Sequence, residues 1–150
     1  MPEHRPALFF EIFNEIGIIE QLSRARLEAR LPNGLIAPHF AVLNRLVRVQ
    51  DGATPIEMAR AFQVAKTSLT HTLQGLEARS LIEFRPNPED GRSKRVWITD
   101  AGRALREEVI AALAGDFQPL LAQLDLDALA DIRPTLISLR QALDSARNGT

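Results

Sequence analysis

Apolar residues recur at helical spacing toward both ends of the chain. In a predicted first helix at about residues 7–30, the apolar positions three or four residues apart are Leu8, Ile12, Ile16, Ile19 and Leu22. Phe9, Phe10 and Phe13 widen this apolar surface. Such a wide face indicates either a helix buried within the core of one chain or a helix packed on a partner chain.

A second long apolar region covers about residues 100–147. Thr99 is a suitable cap for its first helix, which Gly115 and Pro119 are expected to weaken or bend. Asp125 or Asp127 caps a last helix, and Pro134 is expected to kink it. Between the two terminal regions, a helix from Pro38 to about Val49 is predicted as part of the core.

The segment from Thr54 to Thr99 combines helical and strand periodicity. Thr54 and Glu57 form a Thr-x-x-Glu capping box around Pro55, which predicts a short helix ending near Phe62. After a turn at residues 63–65, a second helix is predicted from Lys66 to Arg79. Leu69, Leu73 and Leu76 form the buried stripe of that helix.

The opposite face of this second helix carries short hydrogen-bonding side chains and two basic groups. Such side chains bond base edges and phosphates, and a threonine methyl packs on a thymine methyl. The same composition is also typical of a helix face that is merely solvated. The candidate DNA contacts on this face are Lys66, Thr67, Ser68, Thr70, His71 and Gln74.

Residues 82–85 and 95–98 alternate apolar and polar positions, which predicts a two-stranded hairpin. Pro86 to Ser93 is predicted as the connecting loop, because it is rich in turn-forming residues. An arginine at such a tip suits a narrow minor groove, although charged hairpin tips also serve solubility alone. The candidate DNA contacts of the hairpin are Arg85, Arg92, Lys94 and Arg95.

The order helix, turn, helix, hairpin predicts a winged helix-turn-helix in a mostly α (α+β) chain. Three segments resemble the MarR family of dimeric bacterial regulators: residues 76–82 (LEARSLI), 88–94 (PEDGRSK) and 98–102 (ITDAG). The resemblance covers nearly the whole chain. It implies a single domain over 1–150, with a DNA-binding part at about 54–99 and dimerisation helices at about 7–30 and 100–147.

The resemblance also implies roles for particular residues. Ser68, Thr70 and His71 match positions where the family's recognition helix meets bases and phosphates, and Arg92 matches the wing-tip arginine. Asp90 matches an aspartate that steadies the wing through basic partners.

Three positions depart from the family pattern. His71 replaces a common arginine, so its contact is expected to be weaker or pH-sensitive. Gly75 replaces a polar or charged residue, which costs on the order of 1 kcal/mol in mid-helix. Ser80 replaces the usual glycine, which puts the left-handed helix cap in question.

Composition excludes several other classes of protein. The 150 residues contain no cysteine, so disulfides, thiolate zinc sites and cysteine redox sensing are ruled out. The net charge is −1, with a mild basic excess between Lys66 and Arg95. No apolar run suggests a membrane span and no signal peptide is visible, so a cytoplasmic location is expected.

No catalytic motif is present, and His4, His39 and His71 lack the spacing of metal ligands. We therefore expect neither an enzyme nor a bound cofactor. His39 is kept as a candidate contact for a small ligand, although a histidine at such a position is more often a surface or satisfied residue.

The expected function is sequence-specific DNA binding by a homodimer that reads a pseudo-palindromic operator. The resemblance implies a repressor that a small aromatic effector releases from DNA. The alternative is a winged-helix module that binds protein without binding DNA.

Overall fold

A computed structural model describes residues 5–149. His4, one of the histidines considered for metal binding, lies outside them. The chain forms α1 (Pro6–Arg30), α2 (Ala37–Arg48), α3 (Pro55–Phe62), α4 (Lys66–Ala78), β1 (Ile82–Asn87), β2 (Asp90–Ile98), α5 (Asp100–Leu121) and α6 (Leu126–Asn148). This order confirms the mostly α winged helix-turn-helix. Backbone contacts divide the described chain into two units, residues 5–113 and residues 114–149, and the single domain over 1–150 stays a prediction.

The predicted caps form as expected. The Thr54 hydroxyl accepts a hydrogen bond from the Glu57 amide at 3.2 Å, and the Glu57 carboxylate accepts one from the Thr54 amide at 2.9 Å. The Asp125 carboxylate accepts the amides of Asp127 and Ala128 at the start of α6. Helix α5 continues past Gly115 with Pro119 inside it, so neither residue ends the helix.

The C-terminus of α4 settles the question about Ser80. Ser80 adopts the left-handed conformation with φ of 59°. The Leu81 amide donates to the Leu76 carbonyl at 3.0 Å and the Ser80 amide to the Glu77 carbonyl at 2.9 Å, which are the two bonds of a Schellman cap. The burial of Leu76 and Leu81 accompanies this cap. The helix therefore ends as it would with glycine, at the steric cost of a β-carbon in that region.

We expect Ser80→Gly to raise the free energy of unfolding by about 1 kcal/mol, because glycine adopts a positive φ without that cost. Urea denaturation followed by circular dichroism measures the change. Glu77→Gly, one turn earlier at a helical φ, should instead lose stability, and a gain there would contradict the explanation.

The hairpin, called the wing below, is longer than predicted. Pairing runs from Ile82↔Ile98 to Asn87↔Asp90, with a register shift between Pro86 and Asn87. The predicted loop from Pro86 to Ser93 was therefore wrong, since only residues 88 and 89 lie outside the strands. Proline is tolerated because both wing strands are edge strands, where a missing amide need not break a ladder bond.

The core of the first unit joins α2, α3 and α4 to the base of the wing. Its largest fully buried side chains are Val42, Leu43, Leu46, Met58, Leu73, Leu76, Ile82, Val96 and Val109. The predicted stripe of Leu69, Leu73 and Leu76 on α4 is buried as expected. The stripe holds the polar face of α4 outward.

Helices α1 and α6 differ from this core because none of their described residues is buried. The large exposed side chains of α1 include Phe9, Phe10, Ile19 and Leu22, and those of α6 include Leu126, Ile132, Leu136 and Leu143. The interpretation of α1 as a helix buried in its own chain was therefore wrong for the chain alone. None of the helices in the described range is long and apolar enough to cross a membrane.

Candidate nucleic-acid interface

The polar face of α4 is exposed along its length. All six candidate residues on it, Lys66, Thr67, Ser68, Thr70, His71 and Gln74, are exposed. Helix α3 comes before α4 in the chain, and the turn between them contains Gln63 in a left-handed conformation with φ of 53°. This arrangement is the helix-turn-helix, with α4 in the position of the recognition helix.

Internal hydrogen bonds restrict what two threonines of α4 can offer. The Thr70 hydroxyl donates to the Lys66 carbonyl at 2.8 Å, and the Thr72 hydroxyl donates to the Ser68 carbonyl at 3.1 Å. Each hydroxyl has a single proton, so in this conformation both groups remain only acceptors. Thr70 therefore presents a methyl group and an acceptor oxygen rather than a donor.

The recognition helix and the wing meet across an open cleft. Its volume is about 320 Å³, and the residues that line it are Pro55, Lys66, Thr70, Leu73, Gln74, Glu77, Phe84 and Lys94. The fold thus brings Lys66 and Lys94 to one surface although they are far apart in sequence. Thr70 and Gln74 lie on the same surface.

The four basic candidates of the wing have different surroundings. Arg92 and Lys94 are exposed. Arg85 donates to the Glu83 carboxylate through Nε at 2.7 Å, and its guanidinium lies 4.8 Å from the Trp97 ring centre. Arg95 is more enclosed, with a side chain that is 22% exposed.

Arg95 is hydrogen-bonded within the base of the wing. Its guanidinium donates to the Asn87 side chain and to the Gly52 carbonyl, each at 3.1 Å, and it also contacts Glu89 at 3.5 Å. Most of its donors are therefore committed to the protein. This geometry is that of a positioning residue.

Asn87 organises the turn of the wing, and sequence reasoning missed it. It is 8% exposed and is the one polar side chain among the buried residues of the described chain. Its Oδ1 accepts the Glu89 amide at 3.0 Å, and its Nδ2 donates to the Ser93 hydroxyl at 2.9 Å. The Asn-Pro pair was a signal for this Asx turn.

Asp90, also in the wing, is hydrogen-bonded to the backbone. Its carboxylate accepts the Arg92 amide at 3.0 Å. This bond places Arg92 just beyond the tip of the hairpin.

Asp51 ties the wing to the rest of the first unit and was also missed. Its Oδ1 accepts the amides of Gly52 and Ile98, and its Oδ2 receives a hydrogen bond from Arg103 at 3.0 Å. One carboxylate thus joins the loop before α3, the end of β2 and the start of α5. No sequence motif identifies such a group, because its partners are up to 52 positions away.

His39 and Arg79 lie beside the recognition helix. The half-buried His39 is at the start of α2, where its Nδ1 accepts the Ile36 amide at 3.0 Å. Burial lowers the pKa of His39 below its ordinary value of 6.5, and the positive charges of Arg79 and His71 lower it further. Arg79 also donates to the Asn33 carbonyl.

Two exposed features on one side, a recognition helix and a basic wing, define a winged-helix DNA-binding protein. A family model described as the MarR family matches residues 33–93. Transcriptional regulator HosA of Escherichia coli O111:H- is 28% identical over 129 residues, which cover 79% of this chain and 94% of HosA.

Solved structures agree with this assignment. The E. coli MarR mutant C80S complexed with operator DNA is 27% identical, with a TM-score of 0.70 over 87% of this chain and 94% of that one. A crystal structure of MarR has a TM-score of 0.83 over 100% of this chain and 99% of that one, and at 21% identity it supports the fold alone. The matched family model and these relatives support a MarR family transcriptional regulator that binds DNA.

Proposed function

We propose that the protein is a homodimeric repressor that reads a pseudo-palindromic operator through two copies of α4 and the wing. The observation that carries this proposal is the surface shared by Lys66, Thr70, Gln74 and Lys94. On it a helix of major-groove size lies beside a basic hairpin. The related MarR mutant in complex with operator DNA supports the choice of partner.

Within this interface we divide the candidate residues by their surroundings. The exposed Lys66, Thr67, Ser68, His71 and Gln74 contact bases and phosphates, together with Thr70. Arg92 and Lys94 contact the DNA backbone or the minor groove. Arg95 and Asp90 hold the wing in shape, because their hydrogen bonds are made within it.

The dimer is proposed from α1 and α6. Their large apolar side chains are exposed, for example Phe10 at 74% and Leu22 at 64% in α1 and Leu143 at 54% in α6. Large apolar side chains exposed along a helix are typical of an interface between chains. Two-fold symmetry would then place two recognition helices about one helical turn of DNA apart.

Relief by a small ligand is proposed for the cleft between α1 and the recognition helix. This cleft has a volume of about 480 Å³, and its residues include Arg24 of α1, Val42 of α2, Phe62 and the α4 residues Ser68 and Thr72. A small aromatic compound bound there would contact the recognition helix directly. It would release DNA if it preferred a helix spacing that does not fit the operator. His39 lines a different cleft.

The decisive experiment exposes the purified protein to sheared genomic DNA from its source at near-physiological salt and sequences the retained fragments. We expect one pseudo-palindrome to be enriched. Adding small phenols and benzoates to the complex then tests relief, since an effector should release the enriched fragment. If the protein is folded and no fragment is enriched, the alternative is favoured, in which the winged helix binds another protein and not DNA.

Salt dependence separates these two classes of partner. A DNA-binding protein that makes about six phosphate contacts should lose about a thousandfold in its affinity for DNA when salt rises from 50 to 200 mM. A contact with an apolar protein surface should change far less. Neither reading assigns the chain an enzymatic activity.

Arg92→Ala is expected to weaken operator binding by about tenfold or more, because it removes an exposed cation from each wing. Fluorescence anisotropy with the enriched duplex measures the loss. Arg48→Ala is the matched control, since it removes the same charge from an exposed position of α2, outside α4, the wing and the proposed dimer helices. Equal affinities for Arg92→Ala and wild type would remove the wing tip from the interface.

A further inference from the structure

A second cleft adjoins the recognition helix and shares Gln74 with the cleft between that helix and the wing. Its volume is about 420 Å³, and the residues that line it include His39, His71, Gln74, Gly75 and Arg79. His71 and Gln74 belong to both this cleft and the exposed face of α4. The cleft is therefore continuous with the surface proposed to enter the major groove.

The polar groups of this cleft are mainly hydrogen-bond donors. Because His39 Nδ1 accepts the Ile36 amide, the hydrogen of the neutral imidazole is on Nε2. Arg79 uses one nitrogen for Asn33, and a guanidinium has five N–H donors in all. None of the residues lining the cleft is a carboxylate. Such a site suits an anion.

Gly75 is what makes room for His39 beside α4. A β-carbon at this position would lie 3.0 Å from Nε2 of His39. A larger side chain on α4 would therefore displace the imidazole from the helix. The glycine, which is unfavourable in mid-helix, has a local steric reason here.

We propose that His39, His71 and Arg79 form a binding site for a phosphate of the DNA backbone, next to the bases that α4 reads. This inference rests on the proposed function. It assigns His39 to DNA rather than to a small effector, and it adds Arg79 to the interface. The site makes no base contact, so it strengthens binding to all sequences alike.

Protonation is linked to binding at this site. In the free protein burial and the neighbouring charges of Arg79 and His71 lower the pKa of His39, so stability decreases as the pH falls below about 6.5. The acidic group that α1 brings to this end of α2 is Glu28, which accepts the Ala37 amide at 3.4 Å. A bound phosphate favours the imidazolium, so DNA binding takes up a proton and tightens at lower pH.

The test measures DNA affinity by anisotropy between pH 5.5 and 8, with the enriched operator and with a scrambled duplex of equal length. Wild type should bind both duplexes more tightly at low pH, by about tenfold for each unit that DNA raises the His39 pKa. His39→Gln should reduce this pH dependence on both duplexes. Arg79→Gln should lower the salt slope of log affinity by about 1.

Two further variants separate this site from the rest of the interface. Arg92→Ala should bind more weakly yet keep the pH dependence of wild type. Gly75→Ala should reduce the pH dependence less than His39→Gln does while its far-UV circular dichroism stays native, because the added methyl requires the imidazole to shift by a few tenths of an ångström. A Gly75→Ala protein with the wild-type pH profile would contradict the proposed geometry.

Side-chain NMR of the free protein measures the pKa of His39 independently, with inorganic phosphate as the probe. Phosphate should raise the pKa of His39, and chloride at the same ionic strength should not. If DNA leaves the His39 resonances unchanged although inorganic phosphate shifts them, the site binds a free anion and the assignment to DNA is overturned.

The failures of the two proposals are distinguishable. If wild type bound no duplex at any pH, the proposed function would fail and this inference with it. If wild type bound its operator and His39→Gln kept the same pH dependence, only the phosphate site would be lost.

Discussion

Gly102→Ala is expected to lower the free energy of unfolding by about 3 kcal/mol, because the structure has no room for the added methyl group. A β-carbon at this position would lie 2.2 Å from the Leu81 carbonyl oxygen and 2.8 Å from Cγ1 of Ile98. The carbonyl belongs to the backbone and also accepts the Thr99 amide, so it cannot simply turn away. The first turn of α5 would have to move off the base of the wing.

Urea denaturation followed by circular dichroism measures this effect. Gly115→Ala is the matched control, because the same substitution in the same helix has no atom within 4 Å of the added carbon. The control should be neutral or more stable by up to about 1 kcal/mol, since alanine favours a helix. Equal stability of the Gly102 variant and wild type would refute the close approach of α5 to Leu81.

Leu136→Glu is expected to dissociate the proposed dimer and thereby to abolish tight operator binding. Leu136 is 43% exposed in the single chain and lies on one side of α6 with Leu129, Ile132 and Leu143. In a two-fold interface each substitution occurs twice, so two carboxylates would lose water without a partner. We expect the dissociation constant to rise by at least about a thousandfold, on the scale of about 4 kcal/mol.

Sedimentation velocity measures the oligomeric state, and anisotropy measures the affinity for the enriched operator. Ser138→Glu is the control, because it adds the same charge to an exposed position about 200° around the helix from Leu136. The control should remain dimeric. If Leu136→Glu also remained dimeric, the interface would lie elsewhere.

Local patterns predicted the parts of the fold that depend on neighbours in sequence. The capping box of Thr54 and Glu57 and the buried stripe of α4 involve residues within one or two helical turns. The alternation around Phe84 and Val96 likewise predicted two paired strands, and these two residues face each other in the register. Such features are visible because helix and strand periods are local.

The wing illustrates where this reasoning failed. Its turn-forming residues indicated a loop over Pro86 to Ser93, but the buried Asn87 holds the strands together almost to the tip. The residue type and position of Arg95 suggested a DNA contact, yet its guanidinium donates to Asn87 and Gly52. Composition states which groups are present but not which of them already have partners.

Ser80 and Gly75 show the same limit in opposite ways. Both depart from the family pattern, and the sequence indicates only that each is unfavourable for its own element. The structure shows that the left-handed cap survives at Ser80 and that Gly75 accommodates His39 from another helix. A strained or small residue is explained by what lies next to it in space.

The order of elements, the caps, the buried stripes and the family were therefore readable from the chain, because each depends on residues close together in sequence. Folding was needed to bring His39 and Arg79 together beside α4 and to direct Asp51 to Arg103. Only the folded structure distinguishes Arg92, which is exposed at the wing, from Arg95, whose guanidinium is hydrogen-bonded at the base of the wing. Those properties depend on distances and burial between residues remote in sequence, which no local period encodes.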